Sequence, residues 1–241
     1  MSAAPPAALV RAASAYYRPA GRFALHSARG KLAGDPVYAA VLREGLLPAG
    51  GHLLDLGCGQ GLLAAWLLAA QAHHALGQGW PQGWPAPPGL SAYTGVEVNP
   101  QEVRRARAAF ALDTGIPLRV VHGDIRDVDY GAPHAIALLD VLHYLDRAAQ
   151  ERVLQRARAA LRPGGRLLMR IGDGAAGFGC TFSKAFDSTV ALLRRRRWIR
   201  LHCRPAAEWS RHLQALGCSV RRLPQAAGTP FANVLLIAQV P

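Results

Sequence analysis

A short apolar run followed by three glycines at alternate positions constrains the fold of this chain most strongly. The run Leu53–Leu56 predicts a buried strand, and residues 62–72 are strong helix formers that predict a helix. Between them stand Gly57, Gly59 and Gly61, which predict a tight turn because glycine tolerates positive φ and lets a ligand approach the backbone. This order brings backbone N–H groups and a helix N-terminus against a ligand.

The letters Asp-Leu-Gly-Cys-Gly-Gln-Gly of this turn resemble motif I of the class I S-adenosylmethionine (SAM) dependent methyltransferases. In such enzymes the motif lies at the end of the first strand of the sheet. The resemblance therefore implies SAM as the cofactor. The residues of this chain that it assigns to the cofactor are Asp55, Gly57, Cys58, Gly59 and Gly61.

An acidic residue also stands at the end of the second predicted strand, in residues 93–100. Glu97 occupies the position from which a carboxylate accepts hydrogen bonds from both ribose hydroxyls of a nucleoside. We assign Glu97 and the adjacent Val98 to the cofactor site. The usual separation of about 20 residues from the glycine turn is exceeded because a Pro/Gly-rich segment, residues 77–89, intervenes. That segment predicts a solvent-exposed loop, with a docking or dimer surface as the alternative.

The third and fourth predicted strands end in acids as well. In the resembling family an acid after strand three hydrogen-bonds the adenine amino group, and the next apolar side chain packs on the ring. Asp124 and Ile125 match that pattern. Strand four, residues 135–140, ends in Asp140, which we also assign to the cofactor. Ligands of open α/β sheets bind at these carboxyl ends, near the topological switch point.

A candidate general base follows strand four. If the methyl acceptor is a phenol, a base contributes about 10²–10⁴-fold to the rate. His143 is our prediction for that base, and a histidine that only lines the pocket is the alternative. Carboxylates and histidines lack credible metal-ligand spacing, so we predict no metal.

The resemblance covers residues 50–240 and implies an α/β fold. We predict a three-layer, Rossmann-like sheet of seven mostly parallel strands, with an antiparallel last strand and helices on both faces. Residues 50–241 would form this SAM-binding domain, and residues 1–49 an N-terminal helical cap segment. The alternative is that the aromatic residues of the cap segment merely pack on the body of the domain.

The charge is strongly positive, with a formal net charge of +13. Nearly all basic residues are arginines, so the codon bias of a GC-rich genome is one explanation, and an acidic partner is the other. Arginines concentrate in Arg194–Arg200, which follows a predicted amphipathic helix at residues 182–193. Such a segment suits docking of an acyl carrier protein or peripheral contact with an anionic membrane. A solvated helix end is the third interpretation.

A narrower resemblance concerns the acceptor. Residues 51–63, 138–145 and 228–236 resemble small methyltransferases of bacterial aryl polyene and related pigment clusters. This implies O-methylation of an aryl or phenolic head group of a small molecule in secondary metabolism. A nucleic-acid methyltransferase is the alternative, although the segment after strand four lacks an Asp/Asn-Pro-Pro-Tyr motif. A SAM-binding protein without catalysis is a further alternative.

The sequence also bears on location. The first 14 residues lack a continuous apolar core, so we predict no signal peptide. The four cysteines show no Cys-x-x-Cys or metal spacing and predict reduced thiols. We therefore expect a cytoplasmic protein, with contact at the inner membrane face as an extension of the arginine-run hypothesis.

Overall fold

The computed structural model describes residues 5–77, 79–172, 201–225 and 233–241. The chain divides into two compact units, Met1–Ala137 and Leu138–Pro241. The predicted helix at residues 182–193 and the arginine run Arg194–Arg200 lie outside the described residues.

Helices and strands of the first unit follow the order that the sequence predicts. Three helices precede the first strand, and the strand–turn–helix unit comes next. The elements are α1 (Ala7–Ala15), α2 (Arg22–Gly34), α3 (Pro36–Arg43), β1 (His52–Leu56), α4 (Leu62–Ala75), β2 (Ala92–Glu97), α5 (Pro100–Ala109), β3 (Leu118–His122) and β4 (Ala135–Leu139), whose last two residues belong to the second unit.

The second unit continues with a 3₁₀ turn and ends in an antiparallel strand pair. Its elements are the 3₁₀ turn (Leu142–Tyr144), α6 (Arg147–Ala160), β5 (Arg166–Gly172), α7 (Ala206–Ala215), β6 (Ser219–Pro224) and β7 (Asn233–Gln239).

The described strands form one seven-stranded sheet in the order β3-β2-β1-β4-β5-β7-β6. β1 pairs in parallel with β2 and β4, and β2 pairs in parallel with β3. β7 is antiparallel to both β5 and β6. The predicted Rossmann-like sheet, mostly parallel with an antiparallel last strand, is confirmed.

The core of the first unit lies around β1 and α4. Residues 62–70 of α4 are all buried, so this helix is apolar on every side. Trp66 is fully buried, and its indole N–H donates to the carbonyl of Tyr38 in α3 at 2.8 Å. Because a buried indole N–H needs an acceptor, this bond fixes where α3 meets α4.

Polar side chains begin three of the helices as the sequence leads one to expect. Asp35 caps α3 and Asn99 caps α5, and in both cases a proline occupies the first turn. Asp146 caps α6, where its carboxylate accepts from the backbone N–H of Ala149 at 2.8 Å. The prediction that Asp146 starts this helix is confirmed.

One expectation needs correction. Cys58 and Cys218 are free thiols, but Cys203 is disulfide-bonded, so the prediction of four reduced thiols is wrong. The loop with the two tryptophans contains no buried residue among its described positions, and Trp80 and Trp84 are half-buried within it. The Trp80 indole N–H lies 3.2 Å from the carbonyl oxygen of Pro85 and 3.3 Å from that of Trp84, so the loop is held by its own hydrogen bonds.

Within the described ranges, no helix combines the length and the apolar character that crossing a bilayer requires.

Candidate functional site

The glycine turn joins β1 to α4 in a conformation that other residues rarely adopt. Gly57, Gly59 and Gly61 have φ angles of 81°, 56° and 81°. The backbone N–H groups of Gly57 and Cys58 both donate to the carbonyl of Val96, at 2.8 and 3.0 Å. The turn is thereby attached to the neighbouring strand β2, and side chains at the glycines would strain it.

Glu97 holds the middle of this turn from the end of β2. Its Oε2 accepts from the backbone N–H of Gly59 at 3.0 Å, and its Oε1 accepts from the backbone N–H of Asn99 at 2.7 Å. The carboxylate is half-buried. Each carboxylate oxygen has a second lone-pair direction, so these two bonds leave acceptor capacity on Glu97, and its binding of the ribose hydroxyls stays a prediction.

The face of the turn beside Glu97 is open. A Cβ atom added at Gly59 would meet nothing within 4 Å, so this face of the turn is open. Val98, next to Glu97, leaves 62% of its surface exposed. An open glycine backbone, a half-buried carboxylate and an exposed apolar side chain thus lie side by side, and binding of a nucleoside there stays a prediction.

The end of β3 joins the same edge of the sheet. Glu97 is the register partner of His122, and the backbone N–H of Gly123 donates to the carbonyl of Glu97 at 3.1 Å. Asp124 and Ile125 follow immediately. The structure therefore brings the predicted cofactor residues from β1, β2 and β3 together within the first unit.

Asp124 has a partner that the sequence analysis did not include. Its Oδ1 accepts from Nε of Arg126 at 3.0 Å, and its Oδ2 accepts from Nη2 of the same residue at 2.6 Å. Arg126 thus lowers the pKa of the Asp124 carboxyl, chiefly through these hydrogen bonds. Ile125 is 6% exposed and belongs to the core. Contact of either side chain with adenine stays a prediction.

Asp55 is a buried carboxyl at the end of β1. It is 3% exposed, and its Oδ2 accepts from the hydroxyl of Tyr93 at 2.8 Å. Burial raises the pKa of Asp55 from 3.8 to about 7; the Tyr93 hydrogen bond lowers it, and the charge of Glu97 raises it further. Asp55 therefore stands between its neutral and charged forms near pH 7.

The side chain of Cys58 points away from the open face. It packs in a buried cluster with Val103, Ala106 and Val120, and burial raises the pKa of its thiol. A Cβ atom at Gly95 would lie 2.7 Å from the Cys58 sulfur, so the absence of a side chain there makes room for it. The backbone N–H of Cys58 donates to Val96 and its carbonyl accepts from Gly61, so contact of Cys58 with the cofactor stays a prediction.

Asp140 belongs to the second unit. It has a φ of 57°, an unusual value for a residue with a side chain. Its Oδ1 accepts from Nε of Arg170 at 2.9 Å, and its Oδ2 accepts from Nη2 of the same arginine. Arg170 is 7% exposed on β5. A role for Asp140 in cofactor binding stays a prediction.

His143 lies in the 3₁₀ turn of the second unit, with its ring half-buried and 4.2 Å from the ring of Tyr144. Its carbonyl accepts from the backbone N–H of His202 at 2.8 Å. The buried Gln150 amide donates to the carbonyls of Leu142 at 3.0 Å and His202 at 2.8 Å. These bonds fix the backbone that carries His143. These bonds do not show whether His143 acts as a general base or only lines the pocket.

Arg204 completes this network. It is 4% exposed, its Nε donates to Oε1 of Gln150 at 2.8 Å, and it forms ion pairs with Glu151 and Glu208 at 2.9 and 3.1 Å. A buried guanidinium is retained only when such partners satisfy it. The sequence analysis missed Arg204, Gln150, Tyr93 and Arg170, because nothing in their spacing distinguishes them from ordinary helix and strand residues.

The comparisons with known proteins agree with this geometry. Residues 54–167 match the family model described as a methyltransferase domain. The same part of the chain contains the glycine turn, Glu97 and the end of β3.

One curated relative is carboxy-S-adenosyl-L-methionine synthase of Chromohalobacter salexigens. It is 32% identical over 130 residues, which are 54% of this chain and 43% of the relative. The chain therefore spans less than half of that relative's length.

Solved structures show the same fold. Magnesium protoporphyrin IX methyltransferase from Synechocystis PCC 6803, with bound SAH, has a TM-score of 0.60 and 19% identity, covering 92% of this chain and 89% of that one. An O-methyltransferase family protein from Burkholderia thailandensis has a TM-score of 0.58 and 19% identity, covering 92% and 61%. Together with the domain match, these findings support SAM as the cofactor, as predicted.

In the ranges that the structure describes, no three or more histidine, cysteine, aspartate or glutamate side chains are grouped so as to hold a metal ion.

Titration of Asp55 should be visible in stability. Since its pKa rises from 3.8 to about 7 on folding, the folded state binds the proton more tightly, and this contribution is lost as pH rises through that window. Relative to Asp55→Asn, the wild type should lose free energy of unfolding between pH 4 and pH 7. The difference should be on the order of 1–4 kcal/mol, at about 1.4 kcal/mol per pKa unit. Urea unfolding at several pH values measures it, and parallel profiles would contradict the assignment.

Replacement of Glu97 should weaken SAM binding. Glu97→Ala removes the acceptors for the ribose hydroxyls and for the N–H of Gly59, at about 1.5–3 kcal/mol for each hydrogen bond to a charged group. We expect the Kd for SAM to rise by roughly tenfold or more for each bond lost. Glu97→Gln retains one acceptor oxygen, so its Kd for SAM should lie between those of the wild type and of Glu97→Ala. Calorimetry measures the series, and an unchanged Kd in the alanine variant would remove Glu97 from the site.

Proposed function

We propose that this protein is a SAM-dependent methyltransferase that acts on a small molecule. The observation that carries the proposal is the contact between the Gly59 N–H and Glu97 Oε2, at 3.0 Å, beside the open face of the turn. The methyltransferase-domain match over residues 54–167 supports the reaction class. The exposed Val98 supports a nucleoside as part of the cofactor, as do the carboxylates of Glu97 and Asp124 near the ends of β2 and β3.

The acceptor that we propose is the oxygen of an aryl or phenolic head group, as in aryl polyene-like pigments. Support comes from the three sequence segments that resemble the methyltransferases of pigment clusters. A structural neighbour named as an O-methyltransferase family protein is compatible with transfer to oxygen. Delivery of the acceptor on an acyl carrier protein is part of the same proposal.

For methyl transfer to a phenol, the protein needs to bind the two reactants and to remove the phenol proton. When bound, SAM supplies a methyl group made electrophilic by its sulfonium. The acceptor oxygen would then form the new C–O bond, the S–CH₃ electron pair would stay on sulfur, and the phenol proton would pass to a base of the chain. Alignment of the two reactants contributes roughly 7–11 kcal/mol. His143 is the residue that we propose for the proton.

A second candidate rests on the curated relative. Carboxy-S-adenosyl-L-methionine synthase, with 32% identity over 130 residues, is named for a modified form of the cofactor. In that case the methyl carbon would stay on sulfur and exchange a proton for a carboxyl group supplied by a carboxylated co-substrate, and the carboxylated cofactor would be the product. The two candidates share the glycine turn and Glu97, so cofactor binding alone does not separate them.

The decisive experiment follows the methyl group. SAM carrying a trideuterated methyl group is incubated with the protein and with hydroxycinnamate and hydroxybenzoate probes, and all products are identified by mass spectrometry. The proposal expects the label on a phenolic oxygen together with SAH. A labelled, carboxylated cofactor would favour the second candidate, and label transferred only to added RNA would favour a nucleic-acid enzyme.

Loss of the base should show in the pH profile of the same assay. His143→Ala should lower turnover by about 10²–10⁴-fold and leave SAM affinity unchanged. The loss should shrink as pH approaches the pKa of the phenol, near 10, because solvent then supplies the phenolate. His143→Ala with unchanged turnover at every pH would make His143 a pocket residue.

The arginine run is proposed as the docking segment for the carrier protein. Changing Arg195 and Arg196 to Glu should raise the KM for a carrier-bound acceptor at low salt, where charge contacts are least screened. A small soluble phenol should be methylated as before, and it serves as the control. Equal kinetics of both acceptors would show that the run does not dock the carrier. Recruitment of the wild type alone to anionic vesicles would favour membrane contact instead.

A further inference from the structure

The N-terminal segment reaches the glycine turn through one tyrosine. Helix α1 packs on α4 and contacts α2, and it buries Leu9, Val10 and Ala13. Tyr17 follows the end of α1 and is fully buried. Its hydroxyl donates to the backbone carbonyl of Gln60 at 2.9 Å. Gln60 is the residue between the second and third glycines of the turn.

The peptide group between Gln60 and Gly61 is thereby held at both ends. Its carbonyl oxygen accepts from the Tyr17 hydroxyl at 2.9 Å, and its N–H donates to the carbonyl of Cys58 at 2.9 Å. Because a peptide group is planar, two bonds at opposite ends fix the orientation of the plane. A peptide flanked by Gly59 and containing Gly61 would otherwise have several accessible orientations.

An aromatic ring supports the same peptide from another side. A Cβ atom at Gly61 would lie 2.7 Å from Cε2 of Phe110, so the ring of Phe110 lies against the turn. The rings of Tyr17 and Tyr16 approach Phe110 at centroid distances of 6.4 and 5.9 Å. Glu97 holds the N–H of Gly59 on the remaining side. The turn is therefore enclosed except at its open face.

We propose that Tyr17 is a positioning residue for the cofactor turn, and that the N-terminal segment is a working part of the cofactor site rather than only a cap over the acceptor. The inference rests on the proposed SAM site. It assigns to the Tyr17 hydroxyl the task of holding the Gln60–Gly61 peptide in the orientation that binds the cofactor.

The expected change in the Kd for SAM follows from the fraction of molecules whose Gln60–Gly61 peptide has the binding orientation. A ligand that binds one conformation has an apparent Kd equal to its intrinsic Kd divided by the fraction in that conformation. Removing one buried hydrogen bond changes such an equilibrium by roughly three- to tenfold. The apparent Kd for SAM should rise by up to that factor, and by all of it when the binding orientation is the minor one, since the ordering of the turn is then supplied by the ligand.

The experiment compares Tyr17→Phe with Tyr16→Phe by calorimetry with SAM. Tyr16 is the neighbouring residue, its ring contacts the same Phe110, and its hydroxyl donates no hydrogen bond to the part of the chain described by the structure. We expect a rise of roughly three- to tenfold in Kd for Tyr17→Phe and no change for Tyr16→Phe. Titrations run well below the melting temperature of each variant, with one site per chain as the criterion of folding.

A third variant separates positioning from stability. Trp66→Phe removes a buried bond to the carbonyl of Tyr38, away from the glycine turn, so it should lower Tm while leaving the Kd for SAM unchanged. If Tyr17→Phe behaves in the same way, with a lower Tm and an unchanged Kd, Tyr17 is structural and the inference is overturned. A wild type that fails to bind SAM would overturn the proposed function and this inference together.

Linkage supplies an independent readout. If the turn and Tyr17 are coupled, SAM must stabilise the N-terminal segment by the same factor by which that segment favours SAM. Hydrogen exchange should therefore slow in α1 and at Tyr17 when SAM is added to the wild type. The added protection should be smaller in Tyr17→Phe. Equal protection in the two proteins would contradict the coupling.

Discussion

The attachment of the glycine turn to β2 is the interaction on which the candidate site depends. The N–H groups of Gly57 and Cys58 share the carbonyl of Val96, and the N–H of Gly59 reaches Glu97 one residue further on. These bonds require β1 and β2 to be parallel and adjacent, with Leu56 beside Val96. Only then do two segments separated by a long Trp/Pro-rich loop form one binding edge.

Enclosure of the turn has an electrostatic consequence. Asp55 lies behind the turn with 3% exposure, and the Tyr93 hydroxyl donates a hydrogen bond to it. Burial raises the pKa of Asp55 to about 7, and the neighbouring charge of Glu97 acts in the same direction. A carboxyl in this state gains its charge most readily when a cation is close. The sulfonium and amino groups of SAM would supply such a charge under the proposed function.

In the second unit, a buried charged group is compensated by hydrogen bonds and ion pairs. Gln150 and Arg204 hold the 3₁₀ turn, and Glu151 and Glu208 compensate the guanidinium. Such networks contribute more to a defined geometry than to net stability, because desolvation offsets most of the Coulomb attraction. In this unit the network defines the path of the backbone at His143. Asp140 depends on Arg170 in a comparable way, since its φ of 57° is maintained beside that pair.

The sequence by itself determined the glycine turn, the strand-end acids, the helix caps and the succession of strands along the chain. Each of these depends on local conformational preference or on the pattern of apolar and polar residues. Only the tertiary structure decided that the Tyr93 hydroxyl donates to Asp55, that Arg126 pairs with Asp124 and that the Tyr17 hydroxyl donates to the carbonyl of Gln60. These partners are 38, 2 and 43 residues apart in the chain. A hydroxyl or guanidinium carries no periodicity that identifies its acceptor, and even the near pair Asp124–Arg126 depends on how the loop bends. Contacts of this kind exist only once packing has brought the two groups together.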